Sequence, residues 1–86
     1  METERKHEIT VTIQSGRGSD TFTFPQQTKI ADVIEAARVK FGYPPGDTYS
    51  LVREKDKTEL EPQRTLVSYK IEDGEILTLS STGSGV

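Results

Sequence analysis

Cysteine is absent from this 86-residue sequence, and histidine occurs only once. Without cysteine the chain cannot form a disulfide, react through a thiolate or hold zinc with thiolate ligands. The single histidine, His7, has no second histidine or cysteine with which to share a metal, so we expect a solvated residue at the start of the first strand. We therefore expect no metal, no cofactor and no catalytic site.

Concentrated positive charge is also missing. The chain has 11 Lys and Arg against 14 Asp and Glu, a formal net charge of −3, and its longest basic run is Arg5-Lys6. Because nucleic-acid binding depends on clustered cations that displace counterions, we predict that no nucleic acid is bound. A chain of this length forms one domain and buries roughly 63% of its unfolded surface, which disfavours a deep substrate cavity.

Long apolar runs are the third absence. No segment approaches the ~20 consecutive apolar residues of a membrane span. Residues 1–6 lack the apolar core of a signal peptide. We expect a cytoplasmic monomer that makes no membrane contact.

Apolar residues at helical spacing mark the centre of the chain. They predict a helix with one buried stripe, formed by Ile30, Val33, Ile34, Ala37 and Phe41. Thr28 is predicted to cap the first turn with its hydroxyl. Gly42 is predicted to end the helix in a left-handed conformation, and Pro44 and Pro45 prevent its continuation.

A hairpin is predicted before this helix. Apolar residues alternate with Thr and Gln over residues 9–14, and Phe22 and Phe24 alternate with Thr21 and Thr23, which is typical of two half-buried strands. Residues 15–20 supply the turn. Their two glycines partly resemble a dinucleotide-binding loop, but the last glycine is missing and a strand follows where a helix is required, so we interpret them as a hairpin loop.

The second half of the chain predicts the rest of a sheet. Residues 49–52 form a third strand with Tyr49 and Leu51 inward and Val52 outward, and residues 53–58 are expected to be an exposed charged loop. A very short strand at 59–61, a tight helical turn at 65–69 and a last strand at 76–79 follow, with a turn at Asp73-Gly74 between the last two.

This order predicts an α+β fold with a four- to five-stranded mixed sheet and one main helix packed across one face. The first and last strands are expected to run parallel at the centre, as in a β-grasp roll. We place the domain at residues 8–80, between flexible tails at 1–7 and 81–86.

Three segments in one order carry a family resemblance. Gly-Tyr-Pro-Pro at 42–45, Leu60-Glu61 and Thr-Leu-Val-Ser-Tyr-Lys-Ile at 65–71 resemble the corresponding segments of ubiquitin and its relatives. The resemblance covers residues 8–80 and implies a ubiquitin-like β-grasp fold. Small proteins of this kind occur in bacteria beside activating and conjugating enzymes.

The resemblance implies a protein modifier that has no catalytic site of its own. A protease would remove Val86, an ATP-dependent enzyme would activate the Gly85 carboxylate, and a conjugating enzyme would pass it to a target-protein lysine as an isopeptide bond. Glycine suits this role because a residue without Cβ can enter a narrow active site. The tail departs from ubiquitin, since it has neither arginine nor adjacent glycines.

The resemblance also implies a partner-binding surface on the open side of the sheet. Its positions are Val52, Ile76, Thr78 and Ser80, with Thr10 and Thr12 around them. Because most are Thr or Ser, ordinary ubiquitin receptors are expected to bind poorly. Two alternatives to conjugation remain at this point: a non-covalent interaction domain that uses the same surface, and a sulfur carrier whose terminal glycine becomes a thiocarboxylate.

Overall fold

Five strands and one helix make up most of residues 8–81, the part of the chain that this computed structural model describes. The sheet has the strand order β2-β1-β5-β3-β4, with β1 and β5 parallel at its centre and the other neighbours antiparallel. The predicted α+β arrangement is confirmed. The elements are β1 (Glu8–Ser15), β2 (Gly18–Pro25), α1 (Ile30–Phe41), β3 (Tyr49–Arg53), β4 (Thr58–Leu60), a 3₁₀ turn (Val67–Tyr69) and β5 (Ile76–Ser81).

The first hairpin is tighter than the sequence predicted. Strand pairing continues until Ser15 lies opposite Gly18, which leaves only Gly16 and Arg17 in the turn. Gly18 has φ +125°, a conformation that L side chains rarely adopt, so glycine lets the second strand begin there. The Arg17 guanidinium donates to the Gly42 carbonyl at 2.8 Å and lies 4.5 Å from the centre of the Tyr43 ring. The hairpin tip is thereby attached to the end of α1.

The helix buries the stripe that its spacing predicted. Ile30, Val33 and Ala37 are fully buried, while Ile34 and Phe41 pack against the edge of the core. The remaining core residues come from β1, β3, β4, β5 and the segment around the 3₁₀ turn: Ile9, Val11, Ile13, Tyr49, Leu51, Leu60, Leu66, Ile71, Leu77 and Leu79. Phe22 and Phe24 of β2 are partly buried against them. The predicted inward positions of Tyr49 and Leu51 are confirmed.

The prediction is confirmed at the C-terminal end of α1 and wrong at its N-terminal end. Gly42 ends the helix in the left-handed region at φ 76°, as predicted. The prediction that Thr28 caps the start is wrong, because Lys29 occupies the cap position and no side chain caps the first turn. Instead, the Ile30 amide donates to the Arg64 carbonyl at 2.8 Å, and the Ala31 amide donates to the Pro62 carbonyl at 2.9 Å. Carbonyls of the loop after β4 thus satisfy amides that the helix leaves unpaired.

The expectation of an exposed loop from residue 53 is also wrong at its first residue. Arg53 is the last residue of β3, and its side chain is only 11% exposed. Its Nε lies 3.0 Å from Glu75 Oε1, and one terminal nitrogen donates to the Tyr69 carbonyl at 2.8 Å. Arg53 shares the inward parity of Tyr49 and Leu51, so the strand directs it under the segment that leads into β5.

Candidate functional site

The outward side chains of the five strands form one continuous surface opposite the helix. They alternate with buried or partly buried residues along the strands, as the pleat requires. We call this surface the sheet face. It comprises Glu8, Thr10, Thr12, Gln14, Ser19, Thr21, Thr23, Ser50, Val52, Glu59, Ile76, Thr78 and Ser80.

The structure brings the four candidate partner-binding residues together at the centre of the sheet face. Val52 is paired with Thr78, and Ser80 is paired with Ser50 across the β3–β5 ladder. Ile76 precedes Thr78 by two residues, so it is the diagonal neighbour of Val52. Their shared face agrees with the sequence interpretation, and their role in binding stays a prediction.

Ile76 is the more exposed of the two aliphatic residues at this site. Its side chain is 45% exposed, whereas Val52 is half-buried. Val39, 60% exposed, and Val67, 44% exposed, are the other large apolar side chains that residues 8–81 leave open, and they lie on the helix and the 3₁₀ turn. The sheet face therefore has an aliphatic centre of two side chains within a polar surface.

Hydrogen bonds hold the polar side chains around that centre. Gln14 Nε2 donates to Thr78 Oγ1 at 3.0 Å, and Thr78 Oγ1 in turn donates to Glu54 Oε2. Lys57 Nζ donates to the other oxygen of Glu54. The hydrogen bond from Lys57, followed by that from Thr78, lowers the pKa of Glu54 below its ordinary value. The chain of bonds joins β1, β5 and the turn after β3, and fixes these side chains in one arrangement.

Threonines form the opposite margin of the surface. Thr10 and Thr23 share a hydrogen bond of 2.8 Å between their hydroxyls, and Thr12 lies directly opposite Thr21. The Thr10 amide donates to Asp73 Oδ1 at 2.8 Å, which attaches the start of β1 to the turn before β5. This margin offers mainly hydroxyl groups, with Glu8 as its charged residue at the start of β1.

Sequence reasoning missed part of the site. The sequence predicts only an exposed charged loop at residues 53–58, yet Glu54 and Lys57 are bonded to the centre of the sheet face. Glu59, from the predicted short strand, is paired with Val52 in the β3–β4 ladder. The signal that could have placed these acids on the sheet face is the alternation of side chains along a strand. Glu54 is two residues after the outward Val52, and Glu59 precedes the inward Leu60.

The remaining candidate residues lie outside the part of the chain that the structure describes. They are Gly85 and Val86, the predicted conjugation and processing residues, and His7. Within residues 8–81, no group of three His, Asp or Glu side chains is arranged to hold a metal ion. In the same range, no helix is both long enough and apolar enough to cross a membrane.

A five-stranded sheet in this order, with one helix across one face and an open sheet face opposite, defines a ubiquitin-like β-grasp protein. Residues 8–79 match the model of a family described as YukD, a protein of the WXG100 protein secretion system. Because the match spans most of the sequence, this chain belongs to the YukD family.

Solved structures show the same fold at low sequence identity. A de novo designed protein based on ubiquitin is 26% identical, with a TM-score of 0.78 over 92% of this chain and 94% of its own. The ubiquitin-like domain of an Arabidopsis thaliana protein is 15% identical, with a TM-score of 0.75 over 91% of this chain and 81% of its own.

A third structure, described as molecular mimicry of SUMO that promotes DNA repair, is 17% identical, with a TM-score of 0.75 over 86% of this chain and 91% of its own. No curated protein sequence matches the chain.

Proposed function

We propose that this protein is a non-covalent docking module of a WXG100 protein secretion system, and that it binds its protein partner through the sheet face. The family match supports a role in this secretion system. The exposure of Ile76 beside Val52, in the middle of an otherwise hydrogen-bonded polar surface, supports docking through the sheet face.

The arrangement suits binding because little order has to be created when a partner arrives. Side chains that are fixed beforehand lose less conformational entropy in a complex, and a small apolar centre within a polar margin is the common form of an interface. Gln14, Thr78 and Glu54 are already bonded to one another. The sheet under them is fixed by the buried core on its other side.

The test is secretion of WXG100 proteins by the cells that make this protein. We expect Ile76→Asp to abolish secretion, because a carboxylate at the apolar centre would lose its hydration in the complex. Val39→Asp is the matched control, since Val39 is 60% exposed on the helix, and it should leave secretion unchanged.

A thermal melt of each variant separates binding from folding. If Ile76→Asp does not fold, Ile76→Thr takes its place in the test. Threonine keeps the β-branched shape suited to a strand and removes apolar area, so this variant should reduce secretion while its melting temperature stays near normal. Normal secretion with a folded Ile76→Asp protein would refute docking through the sheet face.

Covalent modification is the second candidate, and a glycine at position 85, after a ubiquitin-like domain, favours this function. Hydrolysis would release Val86, and adenylation of the Gly85 carboxylate would expel pyrophosphate from ATP. A thiol would displace AMP, and a lysine amine would displace the thiol to form the isopeptide bond.

The intact mass of the protein from its own cells tests this candidate. Chains that end at Gly85, together with lysine adducts that disappear when Gly85 is deleted, would support conjugation. A terminal thiocarboxylate without protein adducts would indicate a sulfur carrier. Only unprocessed chain without adducts would leave docking as the function.

A further inference from the structure

We propose that the partner of the sheet face presents an aliphatic side chain bordered by lysine or arginine, and that Glu54 and Glu59 select it. This inference rests on the proposed docking function. It adds the chemical character of the partner, which follows from where charge lies around Ile76 and Val52.

Each aliphatic residue of the centre has a carboxylate on the same side. Glu59 is the ladder partner of Val52 and is exposed. The Glu54 amide donates to the Ile76 carbonyl at 3.0 Å, and the Glu54 carboxylate accepts from Thr78 on the sheet face. The two acids therefore line the margin of the aliphatic centre toward β4.

The sheet face itself contains two glutamates, Glu8 and Glu59, and no lysine or arginine. Lys57, at the tip of the β3–β4 hairpin, is the basic residue bonded to this margin, and its side chain is 73% exposed. Within residues 8–81, Glu59 forms no ion pair. The carboxylate of Glu54 is paired with Lys57, so Glu59 supplies the net negative charge that this margin presents to a partner.

Both acids retain the capacity to bind an incoming cation. A carboxylate has about four acceptor positions, and the bonds from Lys57 and Thr78 occupy two of those on Glu54. An exposed ion pair such as that with Lys57 is weak, so a partner cation can join or replace it. An acidic partner would instead meet like charge, which interfaces use to exclude wrong partners.

Two synthetic peptides test the inference against the full-length protein. Both peptides have leucine at the same positions. All of the remaining positions are lysine in one peptide and glutamate in the other. Titration of the ¹⁵N-labelled protein should show binding of the lysine peptide, with shifts at the amides of Val52, Ile76 and Thr78. The glutamate peptide should leave these signals in place.

Variants that remove a negative charge test which residues cause the preference for the lysine peptide. Glu59→Gln should weaken binding of the lysine peptide by about threefold, and the double variant Glu54→Gln, Glu59→Gln by roughly tenfold, the range measured for exposed ion pairs. Asp32→Asn, which removes the same charge from the exposed surface of α1, should leave affinity unchanged. Equal binding of both peptides, no binding of the lysine peptide, or shifts confined to the helix would overturn the inference.

Secretion distinguishes failure of this inference from failure of docking. We expect Glu59→Lys to reduce secretion more than Glu59→Gln, and Asp32→Lys to have no effect. If Ile76→Asp blocks secretion while Glu59→Lys does not, the sheet face docks a partner but its acids do not select it.

Discussion

The two faces of the same sheet differ in what their side chains do. Along β5, Leu77 and Leu79 point into the core, while Ile76, Thr78 and Ser80 point away from it. The inner face is apolar and covered by α1. The outer face is held by hydrogen bonds between side chains and leaves one isoleucine open. Period-two alternation therefore lets one strand serve stability on one side and recognition on the other.

The largest difference between the faces should appear in two adjacent residues of β5. Leu77 is fully buried and Ile76 is 45% exposed. We expect Leu77→Ala to cost about 2–5 kcal/mol of unfolding free energy, because it leaves a cavity, and Ile76→Ala to cost less than about 1 kcal/mol. Urea unfolding measures both, and equal losses would show that the outer face also carries the fold.

The second largest difference in stability is expected between the two ion-pair clusters near β3. Arg53 and Glu75 have side chains 11% and 9% exposed, and Arg53 also donates to the Tyr69 carbonyl. Arg53→Ala should cost about 3 kcal/mol, because the nearly buried Glu75 carboxylate keeps only the more distant and exposed Lys55, at 3.8 Å, as an ion-pair partner. Lys57→Ala removes an exposed partner of Glu54 and should change stability by about 0.5 kcal/mol or less.

A double-mutant cycle of Arg53→Ala with Glu75→Gln checks the inner pair. A coupling energy near zero would mean that Arg53 acts through its other contacts, with Asp56 and the Tyr69 carbonyl, and not through Glu75.

The smallest expected effect is a titration on the outer face. The pKa of Glu54 is lowered by Lys57 and Thr78 from the ordinary value of 4.5. Its ionised form therefore adds stability that is present above the unfolded pKa and is lost as pH falls through the folded pKa. Thr78→Val removes one of the two hydrogen bonds and should raise the pKa of Glu54, which NMR titration of its carboxyl carbon measures. An unchanged pKa would show that the bond from Thr78 does not form in solution.

Much of the fold could be predicted from the sequence because its signals are local. The stripe of α1, its stop at Gly42 and the inward positions of Tyr49 and Leu51 follow from periodicity and backbone chemistry. The open sheet face followed from the same alternation together with the family resemblance. Charged residues were harder to place, since Arg53 and Glu54 both look solvated when only their neighbours in sequence are considered.

The sequence by itself determined which residues face the core and where the helix ends, since side-chain parity and the left-handed freedom of glycine are properties of short segments. The features that depend on long-range contacts were decided only by the tertiary structure. It placed the Pro62 and Arg64 carbonyls at the helix start, and it brought Gln14 and Thr78 together from positions 64 residues apart. These contacts depend on strand register and loop path, which no local pattern specifies.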